Sequence, residues 1–332
     1  PDGKADPKLS LAPVARALEA LIGAPVAFAR ETIGPDAHAK AAALQPGQIL
    51  LLENVRFYPE EEANDPAFAA ELAKFGDVFV NDAFGTAHRA HASTVGVAAN
   101  LPSVAGLLME RELRALGSVL EDPKRPLVAI IGGAKVSSKI GVLENLLPRI
   151  DTLIIGGGMA CTFLKAEGID VGRSLLEADR VGLAADLMRR AQARGAGLLL
   201  PVDGVCADRV DESAHTVTVE VGAIPRDMMM LDIGPRSVER FREGIRSAGT
   251  ILWNGPMGVF ECRPFAAGTA AIADAVAASE AISVVGGGDT VAAIERFSDP
   301  SRFTHVSTGG GASLEYLEGR ALPGVSVLRR SG

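Results

Sequence analysis

Five times along this chain a short apolar run passes directly into a glycine-rich turn. The run 127–131 leads into Gly132-Gly133-Ala134-Lys135, and 153–155 into Gly156-Gly157-Gly158. Residues 251–253 lead into Asn254-Gly255-Pro256-Met257-Gly258, 282–285 into Gly286-Gly287-Gly288-Asp289-Thr290, and 303–306 into Ser307-Thr308-Gly309-Gly310-Gly311. A run that is apolar at nearly every position suits a strand covered on both faces, the condition of a parallel sheet between helices. Runs at 49–52, 78–80 and 198–200 fit the same description. Residues 216–221 alternate instead, which predicts an exposed edge strand in a hairpin. Helical periodicity fills the intervals, at 11–21, 66–75, 178–194, 237–248, 266–278 and 291–297. The alternation predicts an α/β protein with largely parallel sheets.

A chain of 332 residues with 48% hydrophobic content can fill two cores, and neither disorder nor a small disulfide scaffold fits it. Cys161, Cys206 and Cys262 share no metal-ligand spacing and are expected to be reduced, buried thiols of a cytoplasmic protein. The net charge of −8 offers no basic field to nucleic acid or to an anionic membrane. The longest uncharged run, 90–109, contains His91, Asn100 and Pro102, which argues against a membrane span. A boundary is expected between Leu120 and Leu127. There the amphipathic stretch 109–120 ends in Glu121-Asp122-Pro123-Lys124-Arg125-Pro126, and two prolines among charges stop a helix. The chain opens at Pro1 without Met, so the lack of a signal sequence carries no weight.

In open α/β sheets, ligands bind beyond the carboxyl ends of the strands. Glycine there lets the backbone approach a ligand, and helix N-termini offer free N–H groups to an anion. One glycine cluster could simply permit a tight turn; five at equivalent places favour a large anionic ligand. Lys135 and Lys139 stand four apart at the start of a helix seeded by Ser137 and Ser138, where the macrodipole prefers acids. A phosphate chain in the turn explains them, although Lys139 alone reads equally well as a solvated lysine. Asp289 reads either as the N-cap of a helix 290–297 or as the holder of phosphate-bound Mg2+. Neither the dinucleotide nor the Walker fingerprint is present. Toward the N-terminus, Arg56 and Arg89 follow strands, with His88 and His91 near, which suits a small phosphorylated or carboxylated substrate. Singly, each arginine reads as a salt-bridge partner of Glu53 or Asp82. The run Glu60-Glu61-Glu62 reads as a solvated loop or helix start.

Together these residues resemble the phosphoglycerate kinase family. The resemblance spans the chain through LLENVRFYPEEE, NDAFGTAHRAH, IIGGAKVSSKI, IIGGGMACTFLK, LWNGPMGVFE, VVGGGDT and HVSTGGGASLEYLEG. It implies two Rossmann-like three-layer α/β/α domains with mainly parallel sheets. Residues 1–108 would form the acid-substrate domain, 109–123 the interdomain helix and linker, 124–311 the nucleotide-binding domain, and 312–332 a segment returning to the first. By match to the family's motifs, Arg56, His88 and Arg89 would bind 3-phosphoglycerate or 1,3-bisphosphoglycerate. Lys135, with the backbone of Gly309 and Gly310, would act on the transferring phosphoryl group. Gly133, Ala134, Lys139, Gly157, Gly158, Gly255, Gly287, Gly288 and Thr290 would surround ADP or ATP. Gly156 to Gly158, Met230, Leu231 and Glu261 would line the adenosine, with Glu261 on the ribose; Phe260 would also bind the nucleotide, and Asp289 would hold Mg2+.

The family's H-L-G-R-P stretch, its R-V-D-F-N-V-P motif and an arginine on the transferring phosphoryl group would precede Pro1. The acid site is therefore expected to be incomplete, with sheet edges exposed in the N-terminal domain. The implied reaction is reversible transfer from 1,3-bisphosphoglycerate to MgADP by a monomer, with no general base, since the accepting carboxylate is already ionised. A nucleotide-binding fragment without turnover is the alternative. A nicotinamide-dependent dehydrogenase would share the α/β pattern but needs the missing dinucleotide fingerprint.

Overall fold

The computed structural model describes residues 3–328. The chain forms two compact units: residues up to Glu110 with the stretch from Ala321, and Arg111–Arg320. The division falls inside the helix Leu107–Leu120. Asp82 holds the first turn of that helix, its Oδ1 accepting the Met109 N–H at 2.9 Å. Gly106 makes room for it, since a Cβ there would lie 2.4 Å from the Asp82 carboxyl carbon.

In the first unit, β1 (Val26–Phe28) pairs in parallel with β2 (Ile49–Leu51), and β3 (Phe79–Asn81) with β4 (Ser103–Ala105). Its apolar cluster is small, with Phe68, Ala69 and Ala92 packed against Ile33, Tyr58 and Leu72. Val78, Val80 and Val104 remain at least half exposed. Asn81 Nδ2 donates to the Gly324 carbonyl at 3.1 Å, and the Gly324 N–H to the Ala87 carbonyl at 2.9 Å, which ties in the C-terminal stretch.

The second unit continues with β5 (Leu127–Ile131), β6 (Thr152–Ile155), β7 (Gly197–Leu199), β8 (Asp203–Ala207) and β9 (Val217–Glu220). It ends with β10 (Met229–Ile233), β11 (Thr250–Asn254), β12 (Ile282–Gly286) and β13 (His305–Val306). Six strands make a sheet in the order β13-β12-β11-β5-β6-β7, every neighbouring pair parallel. Every residue of β5 and β11 is buried, as their unbroken apolar runs require. Trp253, Phe241, Ile130 and Ile294 fill one core between this sheet and its helices. The remaining three strands form an antiparallel sheet, β10-β8-β9. There β9 alternates partly buried with exposed residues and lies at the edge, as its pattern predicted.

Two differences from the sequence reading have clear causes. The run 303–306 keeps only two strand residues, because hydroxyls replace ladder bonds: Thr304 N–H donates to Ser283 Oγ, and Ser283 N–H to Thr304 Oγ1. Strands β8 and β10 were not read, because Asp203 and Asp232 interrupt their apolar pattern; both acids are buried and satisfied by backbone N–H groups.

Candidate active site

The order of the six-stranded sheet reverses between β5 and β11, which makes the space beyond their carboxyl ends a topological switch point. The turns there are stitched together. Gly132 N–H donates to Asn254 O (2.9 Å), Gly133 N–H to Pro256 O (3.0 Å) and Gly157 N–H to Met257 O (3.0 Å). This stitching separates the glycines by purpose. A Cβ on Gly132 would lie 2.2 Å from Pro256 O, on Gly156 2.3 Å from Met257 Sδ, on Gly157 2.6 Å from Gly133 N, and on Gly255 2.2 Å from Gly132 O. At Gly132, Gly157 and Gly255 the obstacle is backbone, so the packing of the turns requires glycine; at Gly156 it is the end of the Met257 side chain. Around Gly133, Gly288 and Gly310 nothing lies within 4 Å of the Cβ position. Gly158 and Gly287 are intermediate, with first neighbours at 3.1 and 3.0 Å. The glycines thus divide by neighbour and by conformation: Gly133, Gly287 and Gly310 hold positive φ, whereas Gly288 has open space and an ordinary φ.

The lysines flank a tighter turn than the sequence suggested. Val136–Ser138 is a 3-10 turn and the helix Ile140–Leu146 starts afterwards, so Lys135 and Lys139 each precede a helical segment rather than occupy its first turn. Glu177 fixes this arrangement by accepting the Ser137 N–H at 3.0 Å and its hydroxyl at 2.5 Å. Lys135 is exposed beside the open Gly133 turn, as is Ala134. Lys139 is half-buried and its Nζ donates to Asn254 Oδ1, while Asn254 Nδ2 donates to Gly286 O at 2.9 Å. Burial holds Lys139 below the ordinary lysine pKa, opposed by the charges of Asp289 and Glu318.

Asp289 is not an N-cap. The helix Gly288–Phe297 is entered through Gly287 at φ +93°, which leaves Asp289 exposed in the first turn. Its carboxylate accepts no hydrogen bond from the described residues. Thr290, the next residue, is buried, and its Oγ1 accepts the Gly255 N–H at 2.6 Å. On the side of the antiparallel sheet, Met230 is buried and Leu231 half-buried at an irregularity in the β10–β8 register. Phe260 is buried against Ala266 and Ala293, edge-on to Phe297 at 6.3 Å. Glu261 is exposed, its carbonyl held by Arg296 at 3.0 Å.

In the first unit, a cavity of about 280 Å³ is lined by Arg56, Glu61, Asn81, Asp82, His91 and Ser93, among others. Arg56 pairs with Glu62 at 2.8 Å. The partners considered from sequence are engaged elsewhere. Glu53 accepts the Ser10 hydroxyl (2.6 Å) and the Leu11 N–H (2.7 Å), and Asp82 caps a helix. Nor is the acidic run wholly solvated. Glu61 is 2% exposed and accepts both the N–H and the hydroxyl of Ser93. Burial lowers the His91 pKa, opposed by the charge of Glu61. His88 and Arg89 do not line this cavity; Arg89 is exposed, its Nε 3.4 Å from His88 Nε2.

A second cavity, of about 710 Å³, opens at the amino ends of β5, β11 and β12 among Lys124, Arg125, Arg242 and Arg246. Despite its basic lining it is the poorer phosphate site. The helices Pro235–Arg246 and Ala267–Ala277 end there, which directs carbonyls toward it, and Asp274 and Glu280 share the wall.

A family model described as Phosphoglycerate kinase matches residues 1–320. The chain belongs to the phosphoglycerate kinase family. It is 59% identical to the phosphoglycerate kinase of Chloroflexus aurantiacus over 99% of its own length and 84% of that protein's. It is 58% identical to the enzyme of Synechococcus sp. (strain JA-3-3Ab) over 96% of its length and 78% of that protein's. Among solved structures, phosphoglycerate kinase from Coxiella burnetii superposes with a TM-score of 0.89 at 45% identity, covering 98% of this chain and 82% of that one. The enzyme from Pyrococcus horikoshii gives 0.83 at 34% identity, over 96% and 82% of the two chains. As a member of this kinase family the chain is a phosphotransferase.

Within this phosphoglycerate kinase fold, sequence reasoning missed several residues that shape the site. Asn254 was read only as part of a turn, yet it links Lys139 to the β12 end. Glu112 gave no sequence signal beyond a charge on an amphipathic helix. It is fully buried and accepts from Thr308 N–H (2.8 Å) and Thr308 Oγ1 (2.9 Å), with His305 Nε2 at 2.8 Å. It thus fixes the turn that carries Gly309 and Gly310. Burial pushes the Glu112 pKa up, but the bonds from His305, Thr308 and Ser307 outweigh it and hold the carboxyl below its ordinary value. Gly309 N–H is already donated to Ser307 Oγ at 3.1 Å. No helix among the described residues is long and apolar enough to cross a membrane.

Proposed function

We propose that the open rim at the β5–β11 switch point is the Mg-nucleotide site, and that Arg56, His88 and Arg89 hold the acid substrate. The reaction is reversible in-line transfer of the acyl phosphate of 1,3-bisphosphoglycerate to MgADP, giving 3-phosphoglycerate and MgATP. The observation that carries this reading is one juxtaposition. Glycines with empty Cβ positions lie at the same sheet edge as Lys135, Lys139 and a carboxylate with no hydrogen-bond partner, Asp289. Backbone N–H groups and two ammonium groups meet phosphate charge, and the turn at Gly133 leaves a side-chain-free path for it.

The donor set fits a divalent ion that arrives with the nucleotide. Among the described residues no three His, Cys, Asp or Glu side chains cluster to hold a metal by themselves. Asp289 supplies one free carboxylate, the usual protein share when phosphate oxygens and water complete the shell of Mg2+. When bound, Mg2+ neutralises charge on the phosphate oxygens. Lys139 would bind the nucleotide phosphates, and Lys135 would follow the transferring group. With Gly309 N–H engaged by Ser307, the donors left to that group in this turn are those of Gly310 and Gly311. Met230, Leu231, Phe260 and Glu261 would form the adenosine wall.

The oxygen that attacks ATP in the reverse direction is an ionised carboxylate, so positioning and charge stabilisation carry the rate. A monomer suffices for this scheme. The test is ATP formation from 1,3-bisphosphoglycerate and MgADP, followed beside calorimetric binding of MgADP. Turnover that depends on Lys135 is expected. MgADP binding without any ATP formation would reduce the chain to a nucleotide-binding protein.

A further inference from the structure

Asp232 is a buried carboxylate that the mechanism above does not use. It follows the β10 irregularity directly: Met230 pairs with Cys206 and Asp232 with Val205, so Leu231 is the extra residue of a bulge. Its Oδ2 accepts the Gly268 N–H at 2.7 Å, in the first turn of the helix Ala267–Ala277, and its Oδ1 accepts the Ile233 N–H at 2.9 Å. Cβ atoms on Gly258 and on Gly268 would each lie 2.3 Å from Oδ1, so both glycines pack directly on the carboxylate. One residue on from Gly258, the Val259 N–H donates to Leu231 O at 2.9 Å. Thus one side chain joins the bulge, the 255–261 loop and a helix start, and that loop runs from the open rim to Glu261.

We propose that Asp232 is a positioning residue for the nucleoside half of the site, holding Met230, Leu231 and the 255–261 loop in the arrangement that accepts the nucleotide. The inference rests on the nucleotide reading above. Ionised, the carboxylate accepts at both oxygens; protonated, one oxygen becomes a donor and its N–H link weakens. Burial raises this carboxyl to about 7, opposed by the N–H groups of Gly268 and Ile233, and no charged side chain contributes. The titratable groups on adjoining elements are Cys206 on β8 and Cys262, whose thiols burial pushes up and keeps neutral here, and Asp203, which is satisfied by Arg236 and Ser237. Because the ionised form is the competent one, nucleotide affinity falls as pH drops through about 7.

The test is calorimetric titration of the full protein with MgADP and, separately, with 3-phosphoglycerate, across neutral pH. Asp232→Asn is expected to weaken MgADP about ten-fold, the scale of one hydrogen bond to a charged group, and to leave 3-phosphoglycerate unchanged. It should also abolish the pH step. A purely structural role would lower the melting temperature while leaving MgADP affinity and its pH profile as in the parent, and that result would overturn the proposal. Equal weakening toward both ligands would also overturn it. Should the variant fail to fold, carboxyl-carbon NMR of the parent protein replaces it. Asp232 should titrate near neutrality when free and lower with MgADP bound, and an unmoved titration counts against the proposal. A parent protein that binds no MgADP sinks the nucleotide reading itself; binding that Asp232→Asn leaves intact sinks only this inference.

Discussion

The two candidate sites offer phosphate and carboxylate charge different kinds of group. In the larger unit the rim is mostly backbone: turns after fully buried strands, glycines with open Cβ positions, and two lysines standing before helical segments. In the smaller unit the candidate groups are long side chains on turns that follow short strands, with Arg56 already paired to Glu62. A backbone rim is fixed by the sheet beneath it and tolerates little substitution. A side-chain site can be retuned, but one charge at a time, and here Arg56 is held in place by Glu62. The larger unit is therefore expected to break through its packing and the smaller through its charges.

The largest effect should come from Lys135→Ala, which is expected to lower kcat by about two orders of magnitude or more, as loss of one transition-state donor does. Unchanged turnover in steady-state assays would remove Lys135 from the chemistry. Next, Gly132→Ala should destabilise the larger unit by about 2–3 kcal/mol in denaturant titration, since its methyl would collide with the Pro256 carbonyl 2.2 Å away. Gly288→Ala has empty space and an ordinary φ, so its stability should move by less than about 1 kcal/mol while MgADP affinity drops. A Gly132 variant as stable as the parent would erase the distinction drawn between the two classes of glycine. On the other half-site, Arg56→Ala should cost about 1.5–3 kcal/mol of 3-phosphoglycerate binding and leave MgADP untouched. Loss of both in calorimetry would show that Arg56 acts through the fold.

The smallest effect concerns Glu112. Its folded pKa lies below the ordinary value of 4.5, so its stabilisation is complete above that pH and is lost as pH falls through the folded value. Thermal melting of Glu112→Gln should show a shallower acid limb than the parent.

What the sequence disclosed follows from burial. Strands covered on both faces, such as β5 and the centre of β11, are apolar and so announce themselves. The exposed edge strand β9 shows its alternation for the same reason. Hidden from the pattern were elements whose buried positions are polar but satisfied, including β8 with Asp203 and β10 with Asp232. Glu61 and Glu112 were hidden likewise, because a buried acid has the same letter as a solvated one. In the site, the identity of the glycine turns was legible, whereas their division into packing and open positions depends on neighbours distant in sequence. Of the two readings of Asp289, the cap does not hold, because the helix is entered two residues earlier than that reading requires, through Gly287 at positive φ.

The most direct test of the account is a crystal structure of the protein with MgADP. The phosphates should lie along Gly133, Lys139 and Gly288, with the metal on Asp289. Nucleotide bound instead among Lys124, Arg242 and Arg246, at the amino ends of the same sheet, would contradict it.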